Sequence, residues 1–351
     1  MHRLGFRISV LDPGGVDCAA AVMSDRVVHG GLKDAEKCRE LAQGCDVVTL
    51  EIEHVNCDVL AELEAEGVNV QPSAESVRII QDKLIQKQHF QEHGVAVPAF
   101  MDTPDVAAVA AAAEKFGLPL CMKSRKGGYD GRGNAILKTL DEAQSCLDSL
   151  GGPVYAEQMA SFTKELAVNV ARSTTGEIAA HPCVETVQKD AQCATVIAPA
   201  RISAGLCSAA QELASKAVSC LPGCTGIVGV ELFLLDDGSL LLNEVAPRPH
   251  NSAHYSIEAC HTSQFEQHIR AVSGMPLGDP SMRVNCSLMI NVLGGGAKQD
   301  ATGDELVAAT MAPIEVCIYP ELTLSRFVAA PCDEQGPCWV CCWISVLRSL
   351  C

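Results

Sequence analysis

Two acidic residues, Glu231 and Glu244, bracket the apolar segment VELFLLDDGSLLLNE, and the Asp237-Gly238 pair at its centre is a hairpin signal. Pairing Asp236 with Ser239 and walking outward sets Leu235 against Leu240, Phe233 against Leu242 and Glu231 against Glu244. Like charges directly opposite on neighbouring strands repel, so a covered pair of this kind calls for a divalent cation between them. Magnesium is the cation expected, and phosphate its companion. For an arbitrary pair the plainer reading is a solvated hairpin end. The near-continuous apolar strands and the adjoining run Ala246-Pro247-Arg248-Pro249-His250-Asn251 favour the metal, because Arg, His and Asn beside it suit an anionic reactant.

A second cluster points the same way. Lys123-Ser-Arg-Lys126 runs into Gly127, Gly128, Tyr129, Asp130, Gly131, Arg132, Gly133 and Asn134. A dinucleotide fingerprint or a P-loop opens onto a helix, whose N-terminus receives the phosphates. This loop joins two predicted strands and has no Gly-Lys-Ser/Thr ending. What remains is a glycine-rich flap folding its N–H groups over nucleotide phosphates, with Lys123 as a point charge at its root. Such a turn is more often only a turn. The basic flank and the interleaved Tyr129, Asp130 and Arg132 shift the balance toward a ligand.

The elements that must position these groups follow from periodicity and punctuation. Strands are predicted over residues 6–11 and 46–52, a helix over 58–66, a short strand from Val70, and one long helix capped by Ser73 and running through His93 with Lys83 and Lys87 on it. After a linker from Pro98 to Pro104 come a helix over 106–116, strands over 118–124 and 135–138, and a helix over 141–149. Strands over 154–158, 165–173 and 178–187 follow, then a helix over 207–220 that leads into the acidic hairpin. The alternation indicates an α/β fold class with several lobes.

With 351 residues and 48% apolar content the chain can bury a sizeable core. A net charge of -17 argues against a general nucleic-acid binder, so anions must be met by a local basic cluster. The nineteen cysteines lack the spacing of a disulfide framework, and no apolar run is long enough to span a membrane. A reducing intracellular compartment is expected, cytoplasmic unless an upstream segment directs the chain to a plastid. The stretch from Cys332 to Trp343 has no zinc-module spacing and is expected to be an unstructured tail.

These motifs, together with EIEHV, PSAESVRIIQDKLIQKQ, IAPAR and NEVAPRPHNSAHYSIEACHTSQFEQHIRA, resemble the ATP-grasp enzymes of purine biosynthesis that make 5-(carboxyamino)imidazole ribonucleotide. The resemblance covers roughly residues 1–295. It implies an ATP-grasp fold with a Rossmann-like pre-ATP-grasp lobe over 1–75, an ATP-grasp domain over 76–275 with its flap at 127–134, a partial C-terminal domain over 276–330 and a divergent cysteine-rich tail over 331–351. The family begins with a strand and glycine turn ahead of the first strand seen here, and a sheet edge left open in that way is expected to lower solubility. After Tyr319 the family's Gly-Lys and Arg-rich segment gives way to Pro320 and unrelated residues.

The implied reaction phosphorylates bicarbonate with ATP to carboxyphosphate and transfers the carboxyl group to aminoimidazole ribonucleotide. By resemblance, Glu231 and Glu244 hold Mg2+, with Asn243 beside them. Lys83, Lys123 and the flap from Gly128 to Asn134 contact the phosphates, the family more often having arginine at the Lys83 position. Glu157, Gln158, Met159 and Ala160 form an adenine hinge, Glu165 takes the ribose hydroxyls, and Gln188 stands where bacterial members tend to have histidine. Arg248, His250 and Asn251 cradle bicarbonate, while Tyr129, Asp130 and Arg132 face the ribonucleotide, with Asp130 as proton acceptor. The family is typically dimeric and often joined to a mutase or carboxylase domain. A degenerate Mg-ATP binder with little turnover and a different ATP-grasp carboxylating ligase are the alternatives.

Overall fold

A computed structural model describes residues 1–128, 133–189 and 192–292, together with the backbone of two later strands, Thr323–Leu324 and Cys342–Leu347. In the first lobe β1 (Ser9–Asp12) pairs in parallel with β2 (Arg26–His29), which the sequence reading missed. Helices α1 (Ala35–Ala42), α2 (Cys57–Ala65) and α3 (Ala74–Gln81) follow, with Asp34, Asn56 and Ser73 as their N-caps. Each cap side chain accepts from a first-turn N–H that has no partner inside its helix. Val48, Leu60, Leu63, Val70 and Val77 form the lobe's core. The strand expected over 46–52 reduces to a single parallel bridge, Val48 to Val70.

The long helix expected from Ser73 to His93 is two helices, α3 and α4 (Lys83–Glu92). Asp82 between them has extended backbone and caps α4 through the N–H groups of Leu84 and Ile85. Its carboxylate is held by Arg125, with Nη2 to Oδ2 at 2.8 Å, and the Lys83 N–H donates to the Arg125 carbonyl, also at 2.8 Å. The break is therefore imposed by a partner 43 positions away, which helical periodicity cannot register.

The middle lobe is a four-stranded antiparallel sheet in the order β3-β6-β4-β5, from β3 (Phe100–Asp102), β4 (Leu120–Ser124), β5 (Asn134–Leu137) and β6 (Val154–Gln158). Helices α5 (Val106–Phe116) and α6 (Ala143–Leu150) cover it around Val109, Ala112, Leu120, Met122 and Ala156. The segment read as a linker contributes the edge strand β3, a position where flanking prolines are tolerated.

The largest sheet has nine strands. Its path is β12-β11-β7-β9-β10-β13-β15-β14, with β8 beside β7, and comprises β7 (Phe162–Arg172), β8 (Ile178–Ala180), β9 (Val184–Lys189), β10 (Gln192–Ala198), β11 (Gly226–Leu235), β12 (Leu240–Ala246), β13 (Ser287–Val292), β14 (Thr323–Leu324) and β15 (Cys342–Leu347). Helix α7 (Ala204–Cys220) lies on one face, setting Ala210, Ala214 and Ala217 against Val168, Val170 and Val228. The short α8 (Ser256–Ala259) and α9 (Gln264–Val272) complete the fold. The single strand expected over 178–187 splits around Pro182, whose missing N–H interrupts a ladder, and β10 had not been anticipated. The six residues of β15 pair along β13, so the closing stretch is not wholly unstructured as expected.

The acidic hairpin differs from its predicted register in a specific way. Leu234 faces Leu240 and Phe233 faces Leu241, one step from the expected pairing, because the loop has three residues and places Gly238 at φ +82°. A β-bulge at Asn243 then restores the count, and Glu231 faces Glu244 as expected.

Candidate active site

Asn243 is the extra residue of that bulge, and the irregularity lets it share the cavity side with Glu244. Its Nδ2 donates to Glu231 at 3.4 Å and its Oδ1 accepts from Lys123 at 3.4 Å. The two acidic residues and the amide form the floor of a cavity of about 330 Å³.

One wall is basic and internally paired. Lys83 meets Glu244 at 2.7 Å. Behind it Glu157, 3% exposed, is bound by Lys123 at 2.8 Å, Lys87 at 3.0 Å and the Tyr155 hydroxyl at 3.0 Å. Lys87 is itself 1% exposed and donates to the Leu242 carbonyl at 3.3 Å. Burial would raise the Glu157 carboxyl, but Lys87 and Lys123 outweigh it and hold it down at about 2. Burial also lowers Lys87, to about 8, with Lys123 adding to the effect against the pull of Glu157. Lys123 goes the other way: burial would lower it, and Glu157 raises it well above an ordinary lysine. Lys87 had no assigned role from the sequence. The available signal was its spacing of one turn from Lys83 on a helix that otherwise buries Leu84 and Phe90.

The carboxylates that line the cavity are unequally served by cations. Burial raises Glu231, and the neighbouring Glu244 and Glu165 raise it further. Its nearest ring nitrogen, His250 Nε2, is 3.6 Å away, and burial with Arg248 nearby pushes that histidine down to about 4, so it is neutral near pH 7. Glu244 is depressed: burial opposes ionisation, but Lys83 and Lys123 prevail. Glu165 is raised by burial, an effect moderated by its hydrogen bond with Gln188.

His250 is fixed from behind. Its Nδ1 lies 2.8 Å from the Ser252 hydroxyl, which donates to Asn169 at 3.1 Å, and Gln264 bonds both the backbone N–H and the carbonyl of His250. Gly229 on β11 makes the seat possible, since a Cβ there would stand 2.5 Å from that of His250. Arg248 is gripped by Glu53 of the EIEHV run through Nε at 2.5 Å and Nη2 at 3.4 Å. Asn251 Oδ1 is buried on this wall without a hydrogen-bond partner, an acceptor left for a ligand.

The cavity thus gathers Lys83, Lys123, Gly128, Asn134, Glu165, Gln188, Glu231, Asn243, Glu244, Arg248, His250 and Asn251. Glu157 lies behind it as a clamp, and Gln158, Met159 and Ala160, at and just beyond the end of β6, are not among the residues that line it. Tyr129, Asp130, Gly131 and Arg132 lie outside the described residues, and Gly133 closes the loop by accepting from the Ser124 N–H at 2.7 Å. Phe162 and Phe233, which the sequence reading did not single out, stack at 4.6 Å between centroids at the cavity mouth.

Residues 88–265 match the ATP-grasp domain family and residues 1–81 the ribonucleotide synthetase preATP-grasp domain. An N5-carboxyaminoimidazole ribonucleotide synthase from Synechococcus elongatus is 40% identical over 294 residues, covering 84% of this chain and 74% of that protein. The chain belongs to the ATP-grasp N5-carboxyaminoimidazole ribonucleotide synthase family. Within that family, phosphoribosylaminoimidazole carboxylase from Ogataea methanolica is 44% identical over 307 residues, or 84% of this chain and 55% of that protein. The chain spans about half the length of the fungal and plant relatives it matches. An Aspergillus clavatus N5-carboxyaminoimidazole synthase, solved with ADP and 5-aminoimidazole ribonucleotide, superposes with a TM-score of 0.86 at 36% identity, covering 99% of this chain and 89% of that one.

Proposed function

We propose that this cavity binds ATP with Mg2+ and uses it to carboxylate 5-aminoimidazole ribonucleotide with bicarbonate through carboxyphosphate. The observation that carries the reading is the facing pair of Glu231 and Glu244, of which Glu244 is ion-paired with Lys83 while Glu231 has no lysine or arginine ion pair among the described residues. A divalent cation fits because Glu231 makes no ion pair with a lysine or arginine among the described residues and the Asn243 side chain stands beside it, its Nδ2 donating at 3.4 Å. When bound, Mg2+ would be held by Glu231 and Glu244 and would offset the charge of the phosphates.

The chain's own residues supply position and field. Lys83 and Lys123 serve the phosphates from the basic wall. The backbone from Glu157 to Ala160 is assigned to adenine, and Glu165 with Gln188 takes the ribose. A bicarbonate oxygen attacks the γ-phosphorus and ADP leaves. The ribonucleotide amine then attacks the carboxyl carbon and phosphate leaves. Arg248, locked by Glu53, presents a fixed guanidinium to the bicarbonate-derived anion, with neutral His250 and Asn251 completing the cradle. By the family resemblance, Tyr129, Asp130 and Arg132 are assigned to the ribonucleotide, with Asp130 taking the amine proton.

ADP formation in the presence and absence of the ribonucleotide tests this. Release that rises with the ribonucleotide and requires bicarbonate supports the ligase. ADP release indifferent to the ribonucleotide overturns it in favour of a nucleotide binder.

A further inference from the structure

Away from the cavity, His89, His93 and Cys220 bring one ligand atom each to within 4.8 Å of one another, a grouping none of the chemistry above uses. His89 lies in the last turn of α4, His93 follows four residues later as its C-cap, and Cys220 is the last residue of α7. Residues spaced by four lie on the same helix face, so the two imidazoles project together, with ring centroids 4.3 Å apart. Cys220 comes from the opposing helix end as a free thiol.

Each ring is held by a backbone carbonyl. His93 Nδ1 lies 2.8 Å from the His89 carbonyl, and His89 Nε2 lies 3.0 Å from the Cys220 carbonyl. A carbonyl can only accept, so each ring spends one nitrogen as a donor and keeps a lone pair on the other. Histidine ligands in metal sites are held in this manner, by an outer carbonyl that fixes tautomer and orientation. Here the chain supplies that outer contact for both rings before any ion arrives.

We propose that His89, His93 and Cys220 form a binding site for a soft or borderline divalent cation of the Zn2+ class, distinct from the magnesium floor. Two imidazoles and a thiolate suit Zn2+, Co2+ or Cu2+ and discriminate against Mg2+, which takes oxygen ligands. Three protein ligands leave a tetrahedral ion one open position, and with His93 exposed and the other two half-buried, solvent can fill it. The ion would fasten the end of α4 to the end of α7. Because α4 also presents Lys83 and Lys87, on a different face, to the nucleotide cavity, the site would brace the helix without touching the reacting groups.

The test is a Co2+ titration of the full chain after chelator treatment, in a large excess of Mg2+, followed by thiolate-to-metal charge-transfer absorption and the d–d bands of tetrahedral cobalt. One equivalent should bind with both signatures, and Zn2+ should displace it. Cys220→Ser should abolish the charge-transfer band. His93→Ala, an exposed position whose loss does not threaten folding, should weaken Co2+ binding by more than about 100-fold, beyond what losing an outer contact costs. A charge-transfer band that survives in Cys220→Ser places the metal on other thiols and overturns the proposal. So does binding unchanged in His93→Ala, displacement by Mg2+, or no band in the parent chain.

Discussion

Glu157, behind the basic wall, and Glu231, on the floor of the same cavity, are carboxylates whose environments drive them apart. Glu157 is the more buried, yet two lysines and a tyrosine hydroxyl meet it within 3.0 Å, and it stays ionised down to about pH 2. Glu231 is half-buried, faces two other acids and has a neutral histidine for its nearest ring partner, so its ionisation is suppressed. The first is a finished piece of structure. The second is held in a state that a cation would relieve, and that separates scaffold from binding site better than burial alone does.

The comparison can be broken most directly at Glu231. Glu231→Gln should lower ribonucleotide-stimulated ADP formation by about 10³-fold, the upper range for removing one preorganised electrostatic contact, while the metal-free protein melts no lower than the parent. A lowered melting temperature would mean that Glu231 is structural and would put both acids in one class. On the other side, Lys87→Met should cost about 3 kcal/mol in urea unfolding, the low end for breaking a buried pair because Lys123 still meets Glu157. A loss below about 1 kcal/mol would show the clamp to be dispensable.

The two acids should also respond oppositely to pH. Glu231 has its folded pKa raised, so its contribution is fully present below the ordinary carboxylate range and is lost as pH rises through the raised value. Metal-free parent protein should therefore lose stability relative to Glu231→Gln, by on the order of 1–2 kcal/mol, as pH rises to neutral, and excess Mg2+ should flatten the difference. Glu157 has its folded pKa depressed, so its contribution is present above 4.5 and is lost as pH falls from there toward about 2. Matching pH slopes in Glu231→Gln and parent would remove the distinction. The smallest effect is expected at the cavity mouth, which belongs to neither wall: Phe162→Ala should raise the KM for ATP roughly 3- to 10-fold, as for loss of one stacked pair, with kcat little changed. An unchanged KM would take that ring out of the nucleotide site.

Much of the site was legible where chemistry and chain neighbourhood coincide. The pairing of Glu231 with Glu244 and the run from Arg248 to Asn251 needed only the local pattern, and the hairpin kept its end register even though its inner rungs shifted by one. Lys87 was not legible as a clamp, because a lysine on an amphipathic helix is ordinarily solvated, and its partner Glu157 sits on a strand of another lobe. The grip of Glu53 on Arg248 spans 195 positions and left no trace in either local pattern.

The sequence by itself determined the cap at Ser73, the extent of α5, the acidic hairpin and the residue types of the floor, since all of these depend on contacts within a turn or a hairpin. Only the tertiary structure decided that α3 and α4 part at Asp82, that β3 is a strand, that Asn243 bulges into the cavity, and which of the buried carboxylates is neutralised by lysine. The physical reason is range: periodicity reports which face of an element is apolar, whereas a charge in a low-dielectric interior is governed by whichever partner the fold brings to it, however distant in the chain.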